Sequence, residues 1–465
     1  MPKILRVTFI MGRRSLKSLI IFFHFFLFAN LHIAATEIIN KNVERVLDLS
    51  TQLTKETIKI TAADDTGKQF SKYQLVIPGE YHQYLSFISV KDTRKKDLKV
   101  QREVKSDATN FNVEFPKAAN THEIFVELVY IQQIQPYPVE IKQSDKQLVK
   151  YDGMIYFYSP YKTTEQKTQV VLSSPNVIAY NQTKPYTLSG SKLKYGPYEN
   201  IEGLTKEKLY IHYENQNPFM TVNRLERTIQ ISHWGNIAVE ESIQITHSGA
   251  KLKGSFSRYE FQKDSRSGQS SVKSYKTMLP ASAFGVYYRD SNGNISTSNM
   301  NILREYVDLE LRPRFPLFGG WKTQYIIGYN MPSFEYLFND GVNYLLKMRL
   351  IDHIFDDMFI EEAVIKIILP EGCTSIKLKT PYNVERKDDS LTHTYLDTLG
   401  RPTITFTKKN VVENHIANFE LTYNFSKVLL LQEPLLLISF VFVIFMLAII
   451  CKRLDFSIST HPHKD

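Results

Sequence analysis

Alternation of apolar and polar residues is the dominant pattern between residues 36 and 427. Residues 419–425 place an apolar side chain at every second position, which is the period of a half-buried strand. Two more alternating runs, 228–233 and 237–246, flank a Trp-Gly-Asn tripeptide and predict a β-hairpin. Long amphipathic helical patterns are scarce in this region. The pattern predicts a mainly β protein built from sandwich-like sheets.

The first of two continuous apolar segments covers residues 19–33. It follows five basic residues and precedes Ala34-Ala35, which is the order of parts in a secretory signal peptide. We therefore interpret 1–35 as a signal peptide, with a start at Met11 as an alternative that gives a more usual length. An uncleaved membrane anchor is the other interpretation, but Asn30 and His32 interrupt the run before it spans a bilayer.

The second apolar segment is an unbroken run of 17 residues, 435–451. With the apolar turn before it, the run approaches the roughly 20 residues that cross a membrane. Residues 428–451 are therefore predicted to be a transmembrane helix. Lys452-Arg453 follow at once, which predicts a cytosolic tail over 452–465 and the bulk of the chain on the other side. A buried globular helix is the alternative, although such a helix is seldom apolar on every face.

Net charge excludes one class of partner. The whole chain carries a formal charge of +9, but residues 36–427 contain 49 basic and 45 acidic side chains. The basic excess therefore belongs to the segments that flank the apolar runs, and no nucleic-acid partner is predicted. Cys373 is the single cysteine between the apolar segments, so no intramolecular disulfide is predicted there.

The β-rich part is predicted to form two domains in series, 36–225 and 226–427. Weak similarity between the two stretches suggests a tandem duplication, with independent domains as the alternative. The segments that resemble each other are 122–130 and 324–329, 154–160 and 343–350, 168–172 and 364–369, and 209–222 and 393–406.

Motifs that carry chemistry are nearly absent. His122-Glu123 lacks the second histidine of a zinc-binding helix, and neither a nucleophile elbow nor a phosphate-binding Gly-rich loop is present. The acidic pairs at 356–357 and 361–362 are typical of solvated faces, and Cys373 is typical of a small apolar filler or a loop thiol. We predict no catalytic, cofactor-binding or metal-binding residue, although residues that assemble only in space escape this search.

Several longer segments resemble the ribophorin I family, a subunit of the oligosaccharyltransferase complex of the endoplasmic reticulum. The resemblance covers roughly residues 41–458. It rests on 312–323 (RPRFPLFGGWKT), 232–241 (SHWGNIAVEE), 156–161 (YFYSPY), 286–290 (VYYRD), 395–402 (YLDTLGRP), 431–436 (LQEPLL) and 453–458 (RLDFSI).

The resemblance implies a noncatalytic subunit in the endoplasmic reticulum membrane. The complex transfers a preassembled oligosaccharide from dolichyl diphosphate to asparagine in Asn-x-Ser/Thr, and in this family the catalytic site belongs to a different, polytopic subunit. The implied partners are the other subunits, the translocation channel and nascent polypeptides. The implied topology is type I, with two β-rich domains in the lumen. Animal members carry a long charged cytosolic region after the span, which the 14 residues after Cys451 do not provide.

Two other classes of protein share parts of this pattern. A single-pass surface receptor or adhesion protein would also have a signal, an anchor and β-sandwich ectodomains, although such modules generally rely on disulfides. An independent lumenal hydrolase would need a catalytic constellation that sequence spacing does not reveal.

The sequons predict a specific pattern of N-glycosylation at Asn181, Asn294 and Asn424. We expect Asn294 to be modified because it follows an Asn-Gly turn. Asn181 lies in a polar loop and is expected to be modified partially. Asn424 should be unmodified, since it lies on a predicted strand and only three residues separate it from the apolar stretch that begins at 428. Glycosidase treatment in heavy water followed by peptide mass spectrometry measures each site, and an unmarked Asn294 or a fully marked Asn424 contradicts the prediction.

Overall fold

The computed structural model describes residues 37–263, 270–394 and 396–454. Within these residues most of the chain lies in β-strands, which confirms the predicted mainly β class. The predicted signal peptide and the tail from residue 455 lie outside the described residues.

The strands are numbered in chain order. As far as Glu214 they are β1 (Ile38–Leu49), β2 (Thr54–Asp64), β3 (Phe70–Pro78), β4 (Leu85–Lys91), β5 (Lys99–Val104), β6 (Ala108–Ala119), β7 (Thr121–Tyr130), β8 (Ile134–Pro136), β9 (Glu140–Ile141), β10 (Leu148–Met154), β11 (Thr163–Leu172), β12 (Val177–Tyr180), β13 (Tyr186–Ser189), β14 (Lys192–Ile201) and β15 (Lys208–Glu214).

The strands that follow are β16 (Met220–Ser232), β17 (Asn236–His247), β18 (Lys251–Leu252), β19 (Tyr275–Pro280), β20 (Phe284–Asp290), β21 (Gly293–Asn294), β22 (Asn299–Ile302), β23 (Tyr306–Leu311), β24 (Lys322–Pro332), β25 (Leu337–Asp340), β26 (Asn343–Arg349), β27 (Phe359–Ile368), β28 (Thr374–Lys379), β29 (Glu385–Arg386), β30 (Ser390–Thr392), β31 (Arg401–Val412) and β32 (Asn418–Asn424). The helices are α1 (Gly79–His82), α2 (Arg258–Lys263) and α3 (Gln432–Arg453), with 3-10 turns at Ser333–Glu335, Glu413–His415 and Lys427–Leu431.

Two copies of one sheet topology follow each other along the chain. In the first copy β1 is antiparallel to β2 and parallel to β11, and the large sheet has the order β13-β14-β11-β1-β2-β7-β4. In the second copy β16 is antiparallel to β17 and parallel to β27, and the order is β29-β31-β27-β16-β17-β24-β20-β21. The smaller sheets β12-β15-β10-β8 and β3-β6-β5 correspond to β28-β32-β26-β25 and β19-β23-β22.

This correspondence tests the similarities noted in the sequence. Segments 122–130 and 324–329 fall on β7 and β24, which occupy equivalent positions. The pairing of 209–222 with 393–406 is wrong, because β15 corresponds in position to β32 and not to β30 or β31. The boundary at 225–226 stays a prediction, and β16 runs across it.

Hydrophobic cores lie between each large sheet and its smaller sheets. In the first copy, Val43 of β1 belongs to a cluster shared with β3 and β6, whereas Leu47 belongs to a second cluster shared with β10 and β15. The second copy has one larger cluster, which extends from Met220 to Phe425. This is the sandwich-like arrangement that alternating strands favour, because each strand buries one face.

A buried arginine occupies the same position in both copies. The register of β1 shifts between Asn40 and Asn42, and that of β16 shifts between Val222 and Arg224, so each strand has one bulged residue. Arg45 and Arg227 each lie four positions after the bulge, in the centre of the large sheet, and both side chains are buried.

Each arginine has an acidic partner on the neighbouring strand. Arg45 Nε donates to Glu56 at 2.5 Å, whereas Arg227 Nη1 donates to Glu241 and, at 2.7 Å, to Asp352. Burial raises the pKa of the Glu241 carboxyl group and the charge of Arg227 lowers it. Burial is the larger effect, and the pKa is about 6. A buried cation that serves two carboxylates makes removal of the arginine costly, because two charges would remain without a partner.

We predict that Arg227→Ala destabilises the second copy by about 3–5 kcal/mol, the cost of leaving buried charge unpaired. Arg224→Ala, on the same strand, is the matched control. Arg224 is half-exposed and pairs with Glu226 and Glu362, so its loss should cost about 0–1 kcal/mol. Thermal unfolding of the full chain in detergent measures both variants. Equal effects would contradict a special role for the buried cation.

Candidate functional site: the junction with the apolar helix

The helix α3 is apolar on every side and contacts the sheets only near its first residues. It has 22 residues, which corresponds to a length of about 33 Å, and no residue in it is buried. Among the described residues it is the one helix long and apolar enough to cross a membrane, with a mean hydropathy of 3.0. No residue of α3 packs inside this chain, which disfavours the alternative of a buried globular helix. Its length and composition fit the anchor of a single-pass membrane protein.

The helix begins later than the predicted segment because residues 427–431 form a 3-10 turn. Pro434 is tolerated in the first helical turn, where its missing N–H group has no partner inside the helix. Lys452 and Arg453 occupy the last turn, where positive charge interacts favourably with the helix dipole.

The carboxylate of Glu371 joins the second copy to the start of α3. Glu371 lies in a Pro-Glu-Gly turn after β27, and its Oε1 accepts the backbone N–H groups of Thr398 and Gly400, both at 2.9 Å, and of Leu399. Its Oε2 accepts Nε2 of Gln432, the first residue of α3, at 2.9 Å. Burial alone would raise the pKa of Glu371, but the N–H donors hold it below its usual range.

Arg401 makes a second link between the same loop and the helix. Its guanidinium donates to Asp397 and to Glu433, each at 3.0 Å. Burial alone would raise the pKa of Asp397, but hydrogen bonds from Thr394 and the ion pair with Arg401 lower it. The first two residues of α3 are thus held by two separate polar contacts, Gln432 to Glu371 in the turn after β27 and Glu433 to Arg401 at the start of β31.

Apolar contacts complete the junction below these polar links. The leucines of the 3-10 turn, Leu429 and Leu430, pack against the core of the second copy. Gly372 has φ +81°, and a Cβ there would lie 2.6 Å from Cδ1 of Leu429, so glycine permits this close approach. An open pocket of about 80 Å³ lies between Leu429 and the β16–β17 hairpin.

The His233 side chain supports the β16–β17 hairpin by packing against aromatic residues. Its ring stacks on Phe425 with centroids 4.2 Å apart, and its Nε2 lies 3.2 Å from the Tyr423 hydroxyl. Burial and the nearby Lys427 lower its pKa to about 4. The ring is therefore neutral at physiological pH and serves as an aromatic support for the strands beside α3.

The predicted glycosylation sites lie on or beside three different strands. Asn294 is exposed on β21, beside a turn formed by Ser291-Asn292 rather than by Asn292-Gly293. Asn181 is half-buried, and its Oδ1 accepts the N–H group of Tyr210 at 2.6 Å. Asn424 is half-buried on β32, which is paired on both sides. Use of each site stays a prediction.

The residues considered for chemistry have structural surroundings. His122 lies on strand β7 and not on a helix, and its ring stacks on the Phe115 ring with the centroids 3.8 Å apart. Cys373 is buried in the core of the second copy, and burial raises its thiol pKa to about 12. Glu362 pairs with Arg224, and Asp357 pairs with Lys55 of the first copy. The described part of the chain contains no group of three or more His, Cys, Asp or Glu that could hold a metal ion.

A model of the ribophorin I family matches residues 38–452. The chain belongs to the ribophorin I family. It is 40% identical over 431 residues to dolichyl-diphosphooligosaccharide–protein glycosyltransferase subunit 1 of Caenorhabditis elegans, covering 91% of this chain and 74% of that protein. It is 33% identical over 442 residues to subunit 1A of the same enzyme from Arabidopsis thaliana, covering 92% of this chain and 72% of that protein. These relatives do not favour the surface-receptor alternative.

Solved structures add nothing to this assignment. The alignment with an M1 zinc metallopeptidase from Deinococcus radiodurans covers 44% of this chain and 42% of the metallopeptidase chain. Its TM-score is 0.27 and the sequence identity is 8%. A similarity at this level carries no inference about activity.

Three segments that resemble the ribophorin I family meet at the junction. Segment 232–241 contributes His233 and the hairpin, the described part of 395–402 contributes the loop held by Glu371, and 431–436 begins α3. Sequence reasoning noted these segments without connecting them, and it missed Glu371 because a Pro-Glu-Gly sequence indicates only a turn.

We predict that Glu371→Gln destabilises the junction by about 1–2 kcal/mol at pH 7, because the N–H donors lose a charged acceptor. The depressed pKa means that this carboxylate contributes fully above the unfolded value of about 4.3, and the contribution is lost as pH falls through the folded value. The difference between Glu371→Gln and the unchanged chain should therefore shrink below about pH 4.

Thermal unfolding of the full chain between pH 7 and pH 3.5 measures this difference. Glu385→Gln, an exposed residue on β29, is the control and should behave like the unchanged chain at every pH. A difference for Glu371→Gln that does not depend on pH would show that the carboxylate charge is unimportant.

Proposed function

We propose that this chain is an accessory, noncatalytic subunit of an oligosaccharyltransferase. The observation that carries the proposal is membership of the ribophorin I family over 38–452, together with relatives named as subunit 1 of dolichyl-diphosphooligosaccharide–protein glycosyltransferase. That enzyme name describes transfer of an oligosaccharide from dolichyl diphosphate to protein. The chain would act in the first step of protein N-glycosylation.

The proposed location is the endoplasmic reticulum membrane, with the sheets in the lumen. The basic pair Lys452-Arg453 at the end of α3 supports a cytosolic carboxyl end, since basic residues next to a span remain in the cytosol. The bulk of the chain, which precedes the helix, would then lie on the lumenal side, where acceptor asparagines emerge.

The proposed role is to hold partners or nascent chains beside a separate catalytic subunit. The buried ionisable groups described above serve the fold: Arg227 holds two carboxylates inside a sheet, and Glu371 holds the helix. A rigid junction of this kind suits a lumenal platform, because a partner bound to the sheets keeps a fixed position relative to the bilayer. The proposed partners are the polytopic catalytic subunit, the translocation channel and nascent polypeptides.

We predict that the tagged full chain, solubilised in digitonin, co-purifies with the polytopic catalytic subunit and remains in the endoplasmic reticulum. Mass spectrometry of the affinity eluate identifies the partners, and microscopy locates the chain. Glu385→Gln should recover the same partners, whereas Arg227→Ala should recover fewer because its second copy is destabilised.

Two results would contradict the proposal. Recovery of the chain as a free monomer at the cell surface would exclude membership of the complex. Oligosaccharide transfer to an Asn-x-Thr peptide by the full chain purified without partners would exclude a noncatalytic role.

A further inference from the structure

Large exposed apolar side chains surround the first turn of α3. They are Trp234 in the β16–β17 hairpin, Phe334 in the 3-10 turn after β24, Leu399 in the loop held by Glu371, and Val428 just before the helix, with exposed fractions of 66%, 77%, 72% and 73%. We call these four residues the junction patch. Aromatic and aliphatic side chains this exposed and this close together mark an interaction surface.

Backbone contacts place the patch at the level of the helix start. The N–H group of Ser333 donates to the carbonyl of Gly235 at 3.1 Å, which brings the segments that carry Trp234 and Phe334 side by side. Trp234 lines the same cavity as Leu429 and Glu433.

Leu399 is tied to the same level through Glu371. Its N–H group donates to Glu371, whose second carboxylate oxygen accepts Gln432 at 2.9 Å. The patch therefore forms part of the surface from which α3 emerges.

The length of the apolar run determines where the bilayer begins. Residues 435–451 rise about 25 Å as a helix, which is less than the roughly 30 Å of hydrocarbon in a typical bilayer. A span this short draws the residues at its ends toward the hydrocarbon, because exposing acyl chains to water is unfavourable. Polar headgroup regions extend several ångströms beyond the hydrocarbon on each side. The first turn of α3, and the patch at its level, must then lie within the headgroup region.

We propose that the junction patch inserts into the interface of the lipid bilayer, with the ring of Trp234 at the boundary between headgroups and acyl chains. Lipid is the occupant favoured by continuity, because the patch adjoins an apolar helix that is itself exposed along its length. Tryptophan suits this boundary since its ring is apolar and its indole N–H group can face water or headgroups. Contacts of the patch beside α3 would help to fix the tilt of the second copy on the membrane.

The chain contains an internal control for a direct test, because its two tryptophans are Trp234 and Trp321. Residues 236 and 246 of β17 pair with 332 and 322 of β24, so Trp321 lies at the opposite end of these strands from the hairpin. Ten residues of strand separate the two rings by about 34 Å. A quencher buried in the acyl region should therefore distinguish them.

The experiment places the full chain in nanodiscs made with brominated or unbrominated phosphatidylcholine. Trp321→Phe leaves Trp234 as the reporter, and we expect brominated lipid to reduce its emission by about half or more. Trp234→Phe leaves Trp321 as the control, and we expect almost no change. If Trp321→Phe fails to fold, the unchanged chain gives the same answer, since Trp234→Phe should remove its quenching.

Two outcomes would overturn the proposal. Emission from Trp234 that is insensitive to brominated lipid but quenched by aqueous acrylamide would place the patch in water, available to a protein partner. Equal quenching of both tryptophans would show that the sheets lie along the bilayer and do not hold Trp321 away from it.

Discussion

The short apolar span is the constraint on which the placement of the other elements depends. Because residues 435–451 barely cross the hydrocarbon, whatever binds the first turn of α3 is held at the bilayer surface. Glu371 and Arg401 bind that turn through Gln432 and Glu433, and both belong to the second copy of the β topology. The membrane thereby fixes the position of the sheets of the second copy. Those sheets in turn position the first copy, which precedes them in the chain.

The two copies share a topology but differ in their buried chemistry. Arg45 and Arg227 occupy equivalent positions after equivalent bulges, yet Arg45 pairs with one glutamate and backbone carbonyls, whereas Arg227 pairs with two carboxylates. A buried ion pair is weak as a source of stability, but it penalises any register that leaves a charge unpaired. We infer that Arg45 and Arg227 define the register of the central strands in their own copies. The two copies supply different hydrogen-bond partners for the buried guanidinium group.

Local features of this fold were predictable from the sequence, whereas long-range pairings were not. The alternation at 419–425 and the hairpin around Trp234 correspond to β32 and to β16–β17, since period-2 burial and turn residues act over a few positions. Parallel pairing of β1 with β11 joins residues more than a hundred positions apart, and alternation says only which face is buried. For the same reason the similarity of 209–222 to 393–406 was misleading, because a strand–turn–strand outline occurs many times in any β protein. The role of Glu371 was also inaccessible, since its donors are backbone groups of a distant loop.

Equivalent hairpins in the two copies each lie beside the next element along the chain. In the first copy, the tip between β1 and β2 reaches the second copy, where Gln52 Nε2 donates to the Asp357 carbonyl at 2.8 Å and Leu53 packs in a small cluster with Phe359. In the second copy, the tip between β16 and β17 carries Trp234 and faces the first turn of α3. The first hairpin thus contacts the second copy, and the second hairpin lines the same pocket as the first turn of α3. The helix, the second copy and the first copy are therefore connected in series, by Glu371 and Arg401 at the helix and by the tip of the first hairpin between the two copies.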